Sequence, residues 1–139
     1  MDILLVEDNP ADARLFAEAL AEVNPATRLA VAPDGPAALA LLPLGQSTTP
    51  ALPSLIVLDV NLPGLSGHQV LATLKLDPAT CRIPVVMLST SSAPADITAA
   101  LDRHANAYLV KPPDLDAFVA AIAALDTFWR TALTPSCAA

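Results

Sequence analysis

The stretch that most constrains this chain is Ser54-Leu55-Ile56-Val57-Leu58-Asp59-Val60-Asn61-Leu62-Pro63-Gly64. Four apolar, largely branched residues run without a polar break into one acid, and a turn rich in Asn, Pro and Gly comes next. An unbroken apolar run of this length reads as a strand buried on both faces, the kind found at the centre of a parallel sheet. Pro63 and Gly64 mark the turn that leaves this strand. Asp59 then stands at the carboxyl end of a central strand, where open α/β sheets place their ligand sites. Taken alone, Asp59 is more simply read as an N-cap of the next loop or helix. Its company elsewhere in the chain changes that reading.

The remaining segments alternate around this strand. Ile3 to Val6 is a short buried strand ending in Glu7-Asp8, and Asn9-Pro10 supplies an N-cap followed by Pro at the first helical position. Ala11 to Val23 continues as a helix with Leu15, Phe16, Ala19, Leu20 and Val23 on one side, closed by Asn24-Pro25. Leu29 to Val31 is a second strand, and Asp34-Gly35-Pro36 opens a helix to about Leu42. Pro43 to Pro53, with three prolines, Gly45 and a Gln-Ser-Thr-Thr run, reads as an inserted exposed loop. Beyond the central strand come a helix over Gly67–Lys75, a strand over Pro84–Ser89, a helix from Pro94 to about Arg103, a strand over Ala107–Val110 and a long helix over Leu115–Leu133. Parallel neighbours need crossover connections, and right-handed crossovers place helices on both faces. Five strands alternating with five helices therefore give a doubly wound α/β domain.

Composition narrows the function classes. The 139 residues suit one domain, and 54% hydrophobic residues, mostly Ala, Leu and Val, provide for a core of helices packed on a sheet. A net charge of −7, with Lys75 and Lys111 as the lysines, argues against a nucleic-acid surface. No apolar run reaches transmembrane length and no basic leader precedes the first strand, so no membrane role and a cytoplasmic location are expected. Cys81 and Cys137 lack metal-ligand spacing and are too few for a disulfide framework; both read as ordinary reduced thiols.

The polar residues that end the strands matter jointly: Glu7 and Asp8 on the first, Asp59 on the third, Ser89 on the fourth and Lys111 after the fifth. In a parallel sheet these carboxyl ends share one edge, so the groups converge. Three carboxylates together raise one another's pKa unless a cation joins them. A hard divalent ion with oxygen ligands fits, and Mg²⁺ suits phosphate chemistry. Lys111 adds a point positive charge and Ser89 a hydroxyl donor. Together they describe a receptor for a phosphoryl group with Asp59 as its nucleophile.

On Val6-Glu7-Asp8-Asn9, Leu58 through Gly64, Gly67, Pro84 through Ser89 and Tyr108-Leu109-Val110-Lys111-Pro112, the chain resembles a CheY-like response regulator receiver domain over essentially its whole length. The resemblance implies a flavodoxin-like sheet in the order 2-1-3-4-5 and a single receiver domain over 1–139 without an output domain. It implies Asp59 as phosphoacceptor for a sensor histidine kinase, with Mg²⁺ held by Asp8, Asp59 and the Asn61 backbone carbonyl, and by Glu7 through water. Ser89 becomes the switch hydroxyl, favoured over Thr90 by its spacing to Lys111, and Tyr108 the aromatic that turns inward. Lys111-Pro112 is expected to carry a cis bond, and Asn61 and Ser91 to flank the water that hydrolyses the acyl phosphate. Such a domain is no enzyme beyond its own phosphoryl transfer and autodephosphorylation, and it signals by conformational change to an unknown downstream protein. His104 stands at a helix end where the family often has Gly, so a positive φ there would be strained.

Two rivals share the architecture. A haloacid-dehalogenase-type phosphotransferase or phosphatase wants a second Asp two residues after its nucleophile, where this chain has Asn61. A flavodoxin-like cofactor binder wants a Gly-rich phosphate loop after the first strand, which is missing. Within the receivers, Glu7 through Asp12, Ser89-Thr90-Ser91 and Phe128-Trp129 resemble the stand-alone regulators of bacterial and cyanobacterial phytochrome kinases. The last helix, at about 114–133, outruns a five-residue strand and carries Phe128, Trp129 and Leu133 beyond it. Trp129 continues the core stripe of Leu115, Val119, Ile122 and Leu125, whereas Phe128 points away, so a homodimer through this helix and the 94–110 face is expected.

Overall fold

Apolar runs covered on both faces produce strands β1 (Ile3–Val6), β3 (Leu55–Asp59) and β4 (Val85–Ser89), and shorter, partly exposed runs produce the edge strands β2 (Leu29–Ala32) and β5 (Ala107–Val110). They form one parallel sheet in the order β2-β1-β3-β4-β5. The helices are α1 (Pro10–Val23), α2 (Gly35–Ala40), α3 (Gly67–Leu76), α4 (Pro94–Asp102) and α5 (Leu115–Thr131). This computed structural model describes residues 1–42 and 52–131. Most of the expected Pro43–Pro53 loop, with Leu133 and Cys137, lies outside the described residues.

Period-two alternation divides each central strand between two cores. Leu4, Val6, Ile56, Leu58, Val85 and Met87 pack on the face shared with Ala38, Val70, Leu71, Leu74 and Ala100. Ile3, Leu5, Leu55, Val57, Val86 and Leu88 pack on the other, against Phe16, Ala19 and Leu20 of α1 and Phe118 and Ile122 of α5. The register aligns the strand ends: Val6 lies beside Leu58, Asp59 beside Leu88, and Ser89 beside Val110. Every polar residue that ends a strand is thus delivered to one edge.

Local chemistry fixes the helix starts at that edge. The Asn9 side chain accepts from the Ala11 and Asp12 amides at 2.9 and 3.3 Å, and Pro10 takes the first helical position. Ser66 and Gln69 form a reciprocal capping box on α3. Gly67 brings that helix against the end of β3: a Cβ there would lie 2.2 Å from the Asp59 carbonyl oxygen, and its amide donates to Val60 O at 3.0 Å. Only a residue without Cβ permits this approach. His104, just after α4, does adopt a positive φ of 71°, the strained turn expected from its place at the helix end.

Two expectations need correction. The Lys111–Pro112 bond is trans, as are the other described peptide bonds; the resemblance had supplied the cis form, and the intrinsic preference of X–Pro bonds is trans. Cys81 is disulfide-bonded rather than a reduced thiol. Compartment and cysteine number speak to frameworks, whereas one bond depends on two Cα atoms coming within reach. Trp129 continues the core stripe of α5: it packs on the cluster of Ile3, Phe16, Leu20 and Leu55, and its indole N–H donates to Ser54 O at 3.3 Å. Phe128 stays 45% exposed.

Lys75 is a core residue that the sequence pattern does not announce. Its side chain, from the last turn of α3, is buried and donates to the Cys81 and Ile83 carbonyls, both at 3.0 Å, and to Asn106 Oδ1 at 3.4 Å. Burial lowers its pKa to about 8.

Candidate functional site

Asp59 ends β3 with its side chain enclosed. Its Oδ1 accepts from the Asn61 amide at 2.9 Å, and its Oδ2 accepts from Lys111 Nζ at 2.8 Å. Lys111 lies directly after β5, two strands away, and its ammonium also donates to Glu7 Oε1 at 2.8 Å and Asp12 Oδ2 at 3.0 Å. Glu7 is buried directly after β1, and Asp8 beside it is exposed at the rim. Glu7, Asp8 and Asp59 each offer an oxygen, all within 4.8 Å of one another.

Acid outnumbers base here. Burial first, and the Asp59 carboxylate second, push Glu7 up to about 9 against the opposing pull of Lys111. Burial also works against the Lys111 ammonium, but its bonds to Asp59, Glu7 and Asp12 outweigh that and hold its pKa above the ordinary lysine value. Asp12 is lowered overall, because its bonds to Lys111 and Glu7 outweigh the effect of burial. Glu7 Oε2 is buried with no hydrogen-bond partner. An oxygen-only donor set with excess negative charge, an orphaned carboxylate oxygen and one acid open to solvent is what a hard divalent cation binds.

Beside the cluster lies a cleft of about 150 Å³ lined by Asn61, His68, Ser89, Ser91, Asp96 and Tyr108 with Val60. Ser89 ends β4, enclosed, and its Oγ accepts from the Ser91 amide at 3.1 Å. Ser91 Oγ donates to Asp96 and accepts from the Ala93 amide, while the Tyr108 hydroxyl donates to Ser91 O at 2.8 Å. Thr90, the alternative hydroxyl, is an exposed residue.

The structure therefore brings Glu7, Asp8, Asp59 and Lys111 into one cluster and sets Asn61, Ser89 and Tyr108 along the adjoining cleft. Sequence reasoning missed Asp12, His68 and Asp96. Asp12 had a signal: it lies one helical turn beyond Asp8, so a helix beginning at Pro10 carries it back over the strand end. His68 comes directly after the glycine that abuts β3, which is the signal that places it here.

Comparison with known proteins agrees with this geometry. The response regulator receiver domain family matches residues 3–123. The response regulator Rcp1 of Synechocystis sp. is 40% identical over 133 residues, covering 95% of this chain and 90% of that protein. The structure of the phosphorylated cyanobacterial phytochrome response regulator RcpA is similar with a TM-score of 0.82 and 41% identity, covering 96% of each chain. The Mn²⁺-bound form of Rcp1 superposes with a TM-score of 0.79 at 39% identity, covering 97% of this chain and 98% of that one. A domain match over most of the length, with relatives this similar over nearly all of it, means that the chain belongs to the response regulator receiver domain family.

Proposed function

We propose that Asp59 accepts a phosphoryl group from the phosphohistidine of a sensor histidine kinase. The observation that carries this is the Lys111 ammonium 2.8 Å from Asp59 Oδ2, within a cluster that has an excess of carboxylate oxygens. A carboxylate oxygen of Asp59 attacks phosphorus, the P–N bond breaks and the kinase histidine leaves. Lys111 offsets charge on the phosphoryl oxygens, and positioning with electrostatic stabilisation supplies most of the rate. Asp8, Asp59 and the Asn61 carbonyl would hold Mg²⁺, with Glu7 reaching it through water; the bound ion would supply positive charge that offsets the charge of the transferring phosphoryl group. Ser89 then moves to bind the phosphoryl group and Tyr108 turns inward after it. The phosphorylated state of RcpA and the Mn²⁺ of Rcp1 support this reading. The dehalogenase-type and flavodoxin-type rivals lose their ground with the family established.

Incubation with acetyl phosphate and Mg²⁺, then mass spectrometry, tests the assignment. The label is expected on Asp59, absent from Asp59→Asn and slow to form in Asp8→Asn. Full labelling of Asp59→Asn rejects it. The relatives named for phytochromes favour a bacteriophytochrome-type kinase as the phosphoryl donor, and the message would leave by protein contact with a downstream partner in the cytoplasm. No described helix is long and apolar enough to cross a membrane.

The homodimer belongs to the same reading. Leu101, Val110 and Phe128 are exposed apolar residues at 47, 38 and 45% along the α4, β5 and α5 face. A groove of about 250 Å³ beside Phe128 runs between Leu109 of β5 and Ala121 and Leu125 of α5. A second copy would cover it by a self-complementary contact. Sedimentation should show a wild-type dimer that Phe128→Ala weakens; a monomer at tens of micromolar, with and without a phosphoryl mimic, ends the proposal.

A further inference from the structure

The Lys111 ammonium has three protons to donate, and its three acceptors have different fates in phosphoryl transfer. Asp59 Oδ2, at 2.8 Å, belongs to the carboxylate that takes the phosphoryl group. Both oxygens of that carboxylate are engaged, Oδ1 by the Asn61 amide, and a new bond to phosphorus removes the carboxylate charge that attracts Lys111. Glu7 Oε1, also at 2.8 Å, comes from a residue able to ligate a divalent ion with Asp8 and Asp59, and its Oε2 is buried without a partner. Asp12 Oδ2, at 3.0 Å, is different. Asp12 neither takes the phosphoryl group nor belongs to that set of possible ion ligands. Its place is fixed by the start of α1: Asn9 accepts from the Asp12 amide at 3.3 Å, and Pro10 sets the first helical position. The dipole of the helix favours a carboxylate in this first turn. The Asp12 side chain is 31% exposed at the outer lip of the cluster, whereas those of Glu7 and Asp59 are enclosed.

We propose that Asp12 is the positioning residue for Lys111, holding its ammonium beside Asp59 while the other two acceptors are drawn to the ion and the phosphoryl group. The inference rests on the phosphoacceptor reading of Asp59. A lysine stem is flexible, and a divalent cation arriving among shared carboxylates repels the ammonium. With Glu7 and Asp59 as its whole set of acceptors, Lys111 would swing toward solvent as those oxygens change partners. Asp12 keeps one bond through the change, so the ammonium stays within reach of the incoming phosphoryl oxygens. Asp12 does not touch the reacting atoms, and its effect passes through Lys111.

Lys75 and Lys111 are the chain's two lysines, so an amine-acylating reagent followed by mass spectrometry reads the Lys111 ammonium directly. Buried Lys75 is the internal control for folding. In saturating Mg²⁺, Lys111 should be acylated about threefold to tenfold faster in Asp12→Ala than in wild type, with Lys75 still protected. Asp12→Asn, whose amide oxygen can still accept, should fall between them. Labelling of Asp59 by acetyl phosphate should slow in Asp12→Ala by about the same factor. In a Lys111→Met background Asp12→Ala should slow labelling no further, because a residue that acts through Lys111 then has nothing to hold. Unchanged protection of Lys111 in Asp12→Ala overturns the inference, as does equal slowing of labelling with and without Lys111. Exposure of both lysines together also overturns it, since Asp12 would then be holding the fold rather than the ammonium. Failure to label wild type at all, or undiminished labelling of Asp59→Asn, is a separate outcome that overturns the phosphoacceptor reading and this inference with it.

Discussion

Lys75 and Lys111 are both withdrawn from water, and their surroundings move them in opposite directions. Lys75, 1% exposed, donates to two main-chain carbonyls and one amide oxygen, all neutral, and its pKa falls to about 8. Lys111 donates to three carboxylates, and its pKa rises despite burial. Desolvation penalises both ammoniums, so the charge of the acceptors decides the sign. The roles divide accordingly. Lys75 ties the end of α3 to the approach to β4 and to the turn before β5, whereas Lys111 gathers β1, α1 and β3 around a site with charge to spare for a ligand.

The division can be broken most sharply at Lys111. Lys111→Met should slow labelling of Asp59 about a hundredfold or more, the loss expected when a transition-state charge partner is removed. Labelling within a few-fold of wild type would erase the distinction. Lys75→Met should leave labelling nearly unchanged but lower stability to chemical denaturation by about 1–3 kcal/mol, because the buried carbonyls lose their donor. An unaltered unfolding midpoint would show that the internal staple is dispensable. The smallest effect is on pH dependence. The folded pKa of Lys75, about 8, lies below the ordinary 10.5, so between them the unfolded chain binds more protons and this residue makes stability rise with pH. Wild type should gain on Lys75→Met across that window and level off above it. Lys111 has the opposite sign: its contribution is full below the ordinary lysine value and is lost only in stronger alkali. Parallel stability profiles for wild type and Lys75→Met would refute the assignment.

The features legible in the sequence are those that a single strand announces by itself. The apolar runs before Asp59 and Ser89 are strands covered on both faces, and a strand covered on both faces must end at a polar residue where the ligand edge begins. Glu7, Asp8, Asp59 and Ser89 are placed by that rule, and Lys111 by its position directly after the partly exposed edge strand β5 of the same parallel sheet. The reading failed where a side chain's fate depends on a partner far along the chain. Lys75 sits in the last turn of a helix, where lysine commonly faces water near the helix dipole; its burial depends on Asn106, 31 residues on. Asp12 meets Lys111 across 99 residues.

Trp129 is the chain's single tryptophan, and it lies against Ser54, at the opposite end of β3 from Asp59. Five residue rises of strand separate Ser54 from Asp59, about 17 Å. Its intrinsic fluorescence therefore reports on the seating of the last helix and is not quenched by direct contact with whatever binds at the acidic edge. A change in emission on phosphorylation would be an optical record of motion carried across the whole depth of the sheet.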